Sequence, residues 1–278
     1  MRTMSRSRDQ ASVLVFDSGI GGLTVVEELS RIGFQGRIAY AADTGFFPYG
    51  DKSDDVLVRR IPSLARRLVD EVQPDLFVIA CNTASTLALE VTRAVLDIPV
   101  VGTVPAIKPA ARLTKTGTIG VLATPGTLKR AYTDALISEF ARHCQVLTYG
   151  SVQLVALAER FAAGEPVTDD ELSDELSKLL EQDGGDQIDQ IVLACTHFPL
   201  LTERLRALVP PGIEFIDSGN AIARRVMSLL GQNEGLVGDA GQVSRGQVWT
   251  TGESPSLERL RLTADRFGFG TVCALEEP

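Results

Sequence analysis

Short apolar runs alternate along this chain with longer stretches whose apolar positions recur every three to four residues. The runs read as buried strands and the spaced stretches as amphipathic helices. In the first part, strands are predicted over 12–16, 37–42 and 76–80, and helices over 22–32, 53–72 and 84–96. Gly33 stops the first helix, Pro62 is expected to kink the second, and Asn82 or Thr83 is suited to cap the third. The pattern then restarts, with strands over 118–123, 145–149, 191–194 and 213–216. Between and after them, helices are predicted over 127–140, 152–163, 169–182 and 221–230, and Pro199 suits the first turn of a helix. Two further strands are predicted over 248–251 and 271–274.

Such βα alternation predicts an α/β protein with mainly parallel sheets flanked by helices. Two segments nearly repeat each other. Asp75-Leu76-Phe77-Val78-Ile79-Ala80-Cys81-Asn82-Thr83 aligns with Asp189-Gln190-Ile191-Val192-Leu193-Ala194-Cys195-Thr196-His197. Val15-Phe16-Asp17-Ser18-Gly19 is echoed by Phe215-Ile216-Asp217-Ser218-Gly219. The repeats predict two pseudo-symmetric lobes with an active site in the cleft between them. The expected crossings lie near 99–105 and at Pro210-Pro211-Gly212. One lobe then comprises 1–103 plus 213–278, and the other 104–212.

Composition narrows the function. A hydrophobic content of 44% in 278 residues supplies a sizeable core, and a formal net charge of −9 argues against a broad nucleic-acid surface. Four widely spaced cysteines, Cys81, Cys144, Cys195 and Cys273, are not a disulfide framework and favour a reducing compartment. No apolar stretch reaches the roughly 18 residues of a membrane helix. Residues 1–10 are polar with three arginines, unlike a secretory signal, and are expected to form a disordered tail of a cytoplasmic protein.

An isolated cysteine reads first as a small buried hydrophobe. The duplication changes that reading, because both thiols fall at the carboxyl end of a strand, where open α/β sheets bind ligands. Both are followed by polar residues suited to a helix start, which stabilises thiolate. Metal binding lacks local ligand spacing and only two histidines exist, His143 and His197. A redox pair lacks a Cys-x-x-Cys motif, and covalent catalysis needs one cysteine rather than a matched pair. Two proton-transfer groups facing opposite sides of one carbon fit best.

Phe16-Asp17-Ser18-Gly19-Ile20-Gly21-Gly22-Leu23-Thr24 joins a strand to a helix through glycines, but it misses the third glycine of the dinucleotide fingerprint and the P-loop lysine. Its free backbone N–H groups suit a carboxylate. Asp17 is placed to orient an amine or assist a thiol, or simply to cap the helix with Ser18. Phe46-Phe47-Pro48-Tyr49-Gly50 reads as a packed aromatic turn, and Thr124-Pro125-Gly126-Thr127 as a hydroxyl-bearing helix start. His197 is close enough to Cys195 to exchange a proton or hold its surroundings cationic. Glu159 reads as an ordinary residue of an acidic helix. Cys144 and Cys273 are assigned to packing, and His143 has no role.

Five stretches together resemble the glutamate racemases of the aspartate/glutamate racemase superfamily. They are 15–23, Ala42-Asp43-Thr44 through Pro48-Tyr49-Gly50, Ala80-Cys81-Asn82-Thr83-Ala84-Ser85, 122–127 and 194–201. The resemblance implies two α/β lobes and interconversion of L- and D-glutamate without a cofactor, supplying D-glutamate for the bacterial cell wall. It implies that Cys81 exchanges the α-proton on the D side and Cys195 on the L side, with Asp17 and His197 assisting. Asp17, Ser18, Tyr49, Gly50, Asn82, Thr83, Thr124, Thr196 and His197 are then expected to hold the substrate, and Glu159 matches a family carboxylate less securely. Phe198 replaces a common Tyr, and Gly150-Ser151 stands where many members have Cys-Pro. These departures suggest a proteobacterial type, some of which respond to a peptidoglycan precursor; a homodimer is left open. The competing expectations are an aspartate racemase and a non-catalytic carboxylate-binding or regulatory protein on the same scaffold.

Overall fold

Side chains alternate across each strand, and here both faces are apolar. Val13 and Val15 point to one side of their strand and Leu14 and Phe16 to the other, all buried. A strand apolar on both faces needs helices on both sides, which is the parallel α/β arrangement. The computed structural model describes residues 11–232, 243–252 and 255–275, and has that arrangement twice. The expected N-terminal tail lies outside the described residues.

The chain opens with β1 (Ser12–Asp17), α1 (Leu23–Arg31), β2 (Arg37–Ala42), α2 (Asp54–Val72), β3 (Leu76–Ile79), α3 (Asn82–Val95) and β4 (Val100–Val101). Next come α4 (Ile107–Leu113), β5 (Thr118–Ala123), α5 (Pro125–Leu128), α6 (Ala131–Phe140), β6 (Gln145–Gly150) and α7 (Gln153–Ala163). Then follow α8 (Asp169–Leu180), β7 (Ile188–Ala194), α9 (Thr202–Leu208), β8 (Glu214–Ile216) and α10 (Gly219–Leu229). The last elements are β9 (Ser244–Thr251), α11 (Pro255–Arg266) and β10 (Val272–Leu275).

Among the described residues, six strands form one sheet in the order β10-β9-β2-β1-β3-β4, and four form a second in the order β6-β5-β7-β8. Every pairing is parallel. In the first sheet α1, α10 and α11 cover one face and α2 and α3 the other. In the second, α7, α8 and α9 cover one face and α4 the other.

The run β2-β1-β3-β4 matches β6-β5-β7-β8 with the same order and sense. β3 and β7, which precede the two cysteines, therefore hold equivalent places. The second sequence echo does not follow this correspondence. Asp17 ends β1, whose counterpart is β5, whereas Asp217 follows β8, whose counterpart is β4. The first crossing between sheets falls between Val101 and Ile107. The return comes later than 212, because β8 still pairs with β7.

Candidate active site

The carboxyl ends of both sheets open onto one shared cavity. Ser18, Tyr49, Gly50, Cys81, Asn82 and Thr83 line it from the first lobe, and Thr124, Cys195, Thr196 and His197 from the second. Phe47, Pro48, Thr127, Val155 and Ala194 complete the wall. The cavity is narrow, lined closely by these side chains.

Cys81 is the N-cap of α3. Asn82 and Thr83, the expected caps, instead form the first turn and point their polar groups at the cavity mouth. Thr83 Oγ1 meets Thr124 Oγ1 at 3.1 Å and Thr127 Oγ1 at 3.2 Å, a hydroxyl triangle across the lobes. Ser18 Oγ lies 3.8 Å from Cys81 Sγ. A helix start was expected to favour thiolate at Cys81. Burial wins instead: it pushes the Cys81 thiol well up, Asp17 adds to the push, and the Ala84 N–H and Ser18 only partly oppose it. This environment favours the neutral thiol at Cys81.

Cys195 has different company. His197 Nδ1 lies 3.9 Å from its Sγ, and His197 Nε2 lies 2.8 Å from Glu159 Oε1. Burial works against a charged ring, but the bonds and charges of Cys195 and Glu159 outweigh it and hold His197 well above its ordinary range. The result is positive charge beside Cys195 Sγ. Glu159, read from sequence as an ordinary residue, is fully buried on α7. Nothing in its local pattern distinguishes it, because the histidine it meets is remote in sequence.

Asp17 is fully buried behind the lining. Its carboxylate accepts from Thr196 Oγ1 at 2.8 Å and from the Gly19 N–H at 2.9 Å. Burial raises its carboxyl above the usual range, while the His197 charge pulls the other way. The loop N–H groups expected to receive a ligand carboxylate are partly taken by the protein's own: Gly19 by Asp17 and Ile20 by Glu159 at 3.2 Å. The glycines matter sterically. A Cβ on Gly21 would lie 2.5 Å from Thr196 Oγ1 and 2.6 Å from His197 Nδ1, so only glycine lets the second lobe approach this closely.

Thr127 and Val155 went unassigned in the sequence, although Thr127 shares the hydroxyl-bearing helix start with Thr124. Cys144 and Cys273 are free thiols outside the cavity.

The fold and site together define a class: a two-lobed parallel α/β protein that presents one thiol from each lobe to a common polar cavity. The chain belongs to the Asp/Glu/Hydantoin racemase family, whose pattern matches residues 38–226. It is 43% identical over 266 residues to the glutamate racemase of Escherichia coli strain K12, covering 96% of this chain and 92% of that one. It is similar to the crystal structure of E. coli glutamate racemase in complex with L-glutamate and the activator UDP-MurNAc-Ala, at 42% identity and a TM-score of 0.85, over 96% of this chain and 98% of that one. A glutamate racemase isoform from Bacillus anthracis also matches, at 27% identity and a TM-score of 0.74, over 96% of this chain and 98% of that one.

Proposed function

We propose that this protein interconverts L- and D-glutamate by a two-base mechanism that needs no cofactor, in the cytoplasm, supplying D-glutamate for peptidoglycan. The observation that carries this reading is the pair of thiols, one from each equivalent strand, bordering the same cavity.

An amino acid's α-proton is far less acidic than a thiol, which titrates near about 8.5. Removing it requires a site that stabilises the developing carbanion by fixed dipoles and excludes water. Hydroxyls from Ser18, Thr83, Thr124 and Thr196 and the Asn82 amide surround the cavity in this way. Asn82 Oδ1 is buried without a protein partner, which leaves it free to accept from a substrate ammonium.

The unequal surroundings of the thiols set the direction of the first proton. Cys195, beside the His197 cation, takes the α-proton from L-glutamate. Cys81, held as a thiol, gives its proton to the opposite face, and D-glutamate results. After this turnover Cys81 is thiolate and Cys195 thiol, the arrangement that accepts D-glutamate. Asp17 and Glu159 act indirectly: Asp17 holds Thr196, and Glu159 holds His197. Tyr49 and Gly50 hold the substrate from the turn at the cavity wall.

The test is racemisation and α-proton exchange in deuterium oxide for Cys81→Ser and Cys195→Ser. Each is expected to lose about 100-fold or more in racemisation. Full activity in either variant would sink the two-base assignment. Circular dichroism comparison of glutamate with aspartate settles the substrate. Assays with and without UDP-MurNAc-Ala, and sedimentation, test an activator response and a homodimer.

A further inference from the structure

The turn carrying Tyr49 and Gly50 is built of two single-turn 3-10 helices, Thr44–Phe46 and Tyr49–Asp51. This turn is wedged against the second lobe: a Cβ on Gly50 would lie 3.0 Å from Thr124 Cβ, and one on Gly126 would lie 3.0 Å from the Gly50 carbonyl. Its contacts with the rest of the first lobe meet at one residue.

That residue is Asp43, at the end of β2. Its side chain is fully buried. Oδ2 accepts from Tyr49 Oη at 2.5 Å and from Arg60 Nε at 2.7 Å, and Oδ1 accepts from Arg60 Nη2 at 2.7 Å. Thr251 Oγ1, at the end of β9, also donates to Oδ1. The Asp43 N–H donates to the Asp17 carbonyl at 3.0 Å, tying the same residue to the end of β1. Arg60 comes from α2 and its guanidinium also stacks 4.7 Å over the Phe46 ring. Thr44 Oγ1 donates to the Thr251 carbonyl at 2.6 Å, a second tie to β9.

We propose that Asp43 is a positioning residue for the substrate, acting through the Tyr49-Gly50 turn, and that Thr251 on the returning strand is part of the same device. The proposal rests on the reading of the cavity as a glutamate site. It gives the C-terminal segment a part in the reaction although Thr251 lies beyond residue 226, where the family match ends. The Tyr49 hydroxyl is committed to Asp43, so the turn serves the cavity through its backbone and ring, and its placement decides how well those parts meet the substrate. A carboxylate is needed at the hub because only an ionised one accepts from a forked guanidinium and from hydroxyls at once.

Asp43→Asn removes a buried carboxylate charge that Arg60 pairs with, which threatens folding. Thr251→Val and Tyr49→Phe are gentler at nearly constant shape: Tyr49→Phe removes one donor to Asp43, and Thr251→Val removes one donor to Asp43 and the acceptor of the Gly45 N–H at 3.3 Å. The experiment measures KM and kcat for both enantiomers, the Kd of D-glutamate by calorimetry, and the melting temperature. Each variant is expected to raise KM and Kd about fivefold, with kcat within about twofold of wild type, and Thr251→Ser is expected to restore both constants. A purely structural hub predicts a lowered melting temperature with KM and Kd unchanged, and that result overturns the proposal. Calorimetry separates this failure from failure of the functional reading. If the wild type binds D-glutamate but does not racemise it, the Kd comparison still decides the role of Asp43. If it neither binds nor racemises glutamate, both fall.

Discussion

The two cysteines were legible as a pair because their flanking residues repeat, and His197 beside Cys195 was legible two residues on; the rest of their inequality was not. It comes from Ser18 beside Cys81 and from Glu159 behind His197, contacts between elements distant in sequence. Two predictions belong to this scale. A histidine kept cationic by the fold contributes stability that is complete below its unfolded value, about 6.5, and lost as pH rises through the folded value. The wild-type urea midpoint is therefore expected to decline as pH climbs above about 6.5, and His197→Asn to flatten that decline. An unaltered slope in the variant would place the proton on another group. At Gly21, an added Cβ must displace Thr196 and His197. Gly21→Ala is expected to lower kcat/KM about 100-fold, since misplacing reacting groups by an ångström costs that much; steady-state kinetics check it.

At the level of elements, strands and helices with strong periodicity were legible, and weak or broken ones were not. β4 has two residues and α4 seven, too short for a period to show. α11 carries its apolar residues Leu260 and Ala264 amid many charges. The single helix expected over 127–140 is two, because Arg130 adopts an extended backbone and turns its Nε back to the Gly126 carbonyl at 3.0 Å. No breaker residue announces this. α7 and α11 join the lobes: Arg259 pairs with Glu165 at 2.7 Å and Arg266 donates to the Ala162 carbonyl at 2.7 Å. Leu193→Ala, buried near the carboxyl end of β7, is expected to cost about 2–5 kcal/mol. Trp249, the one tryptophan, sits on β9 in the other sheet. Its fluorescence midpoint in urea is expected to shift together with the circular dichroism midpoint. Movement of the dichroism alone would mean that the lobes unfold separately.

For the molecule as a whole, the sequence repeat indicated two related lobes, but one echo suggested a false equivalence between Asp17 and Asp217. Strand order corrects it, since the relation between halves is a matter of topology that local letters only partly preserve. Closure of the lobes is held by short polar contacts on both sides of the cavity, Asp17 to Thr196 on one and the threonine triangle on the other. At the rim, Arg130 Nη2 meets Asp54 Oδ1 at 3.0 Å, and the carboxylate is largely exposed while the arginine is buried. Such a half-exposed pair contributes modestly. Asp54→Asn is expected to speed hydrogen exchange in the 125–131 segment by up to about fivefold. Unchanged exchange there would remove this pair from the contacts that keep the lobes shut.

The dissimilar neighbours of Cys81 and Cys195 carry a kinetic consequence. Mirror-image amino acids have identical free energies in water, so at equilibrium they are present in equal amounts whatever the catalyst. The Haldane relation then requires kcat/KM to be the same in both directions. A lopsided pair of acids can only make one enantiomer turn over faster if that enantiomer also saturates the protein at proportionally higher concentration.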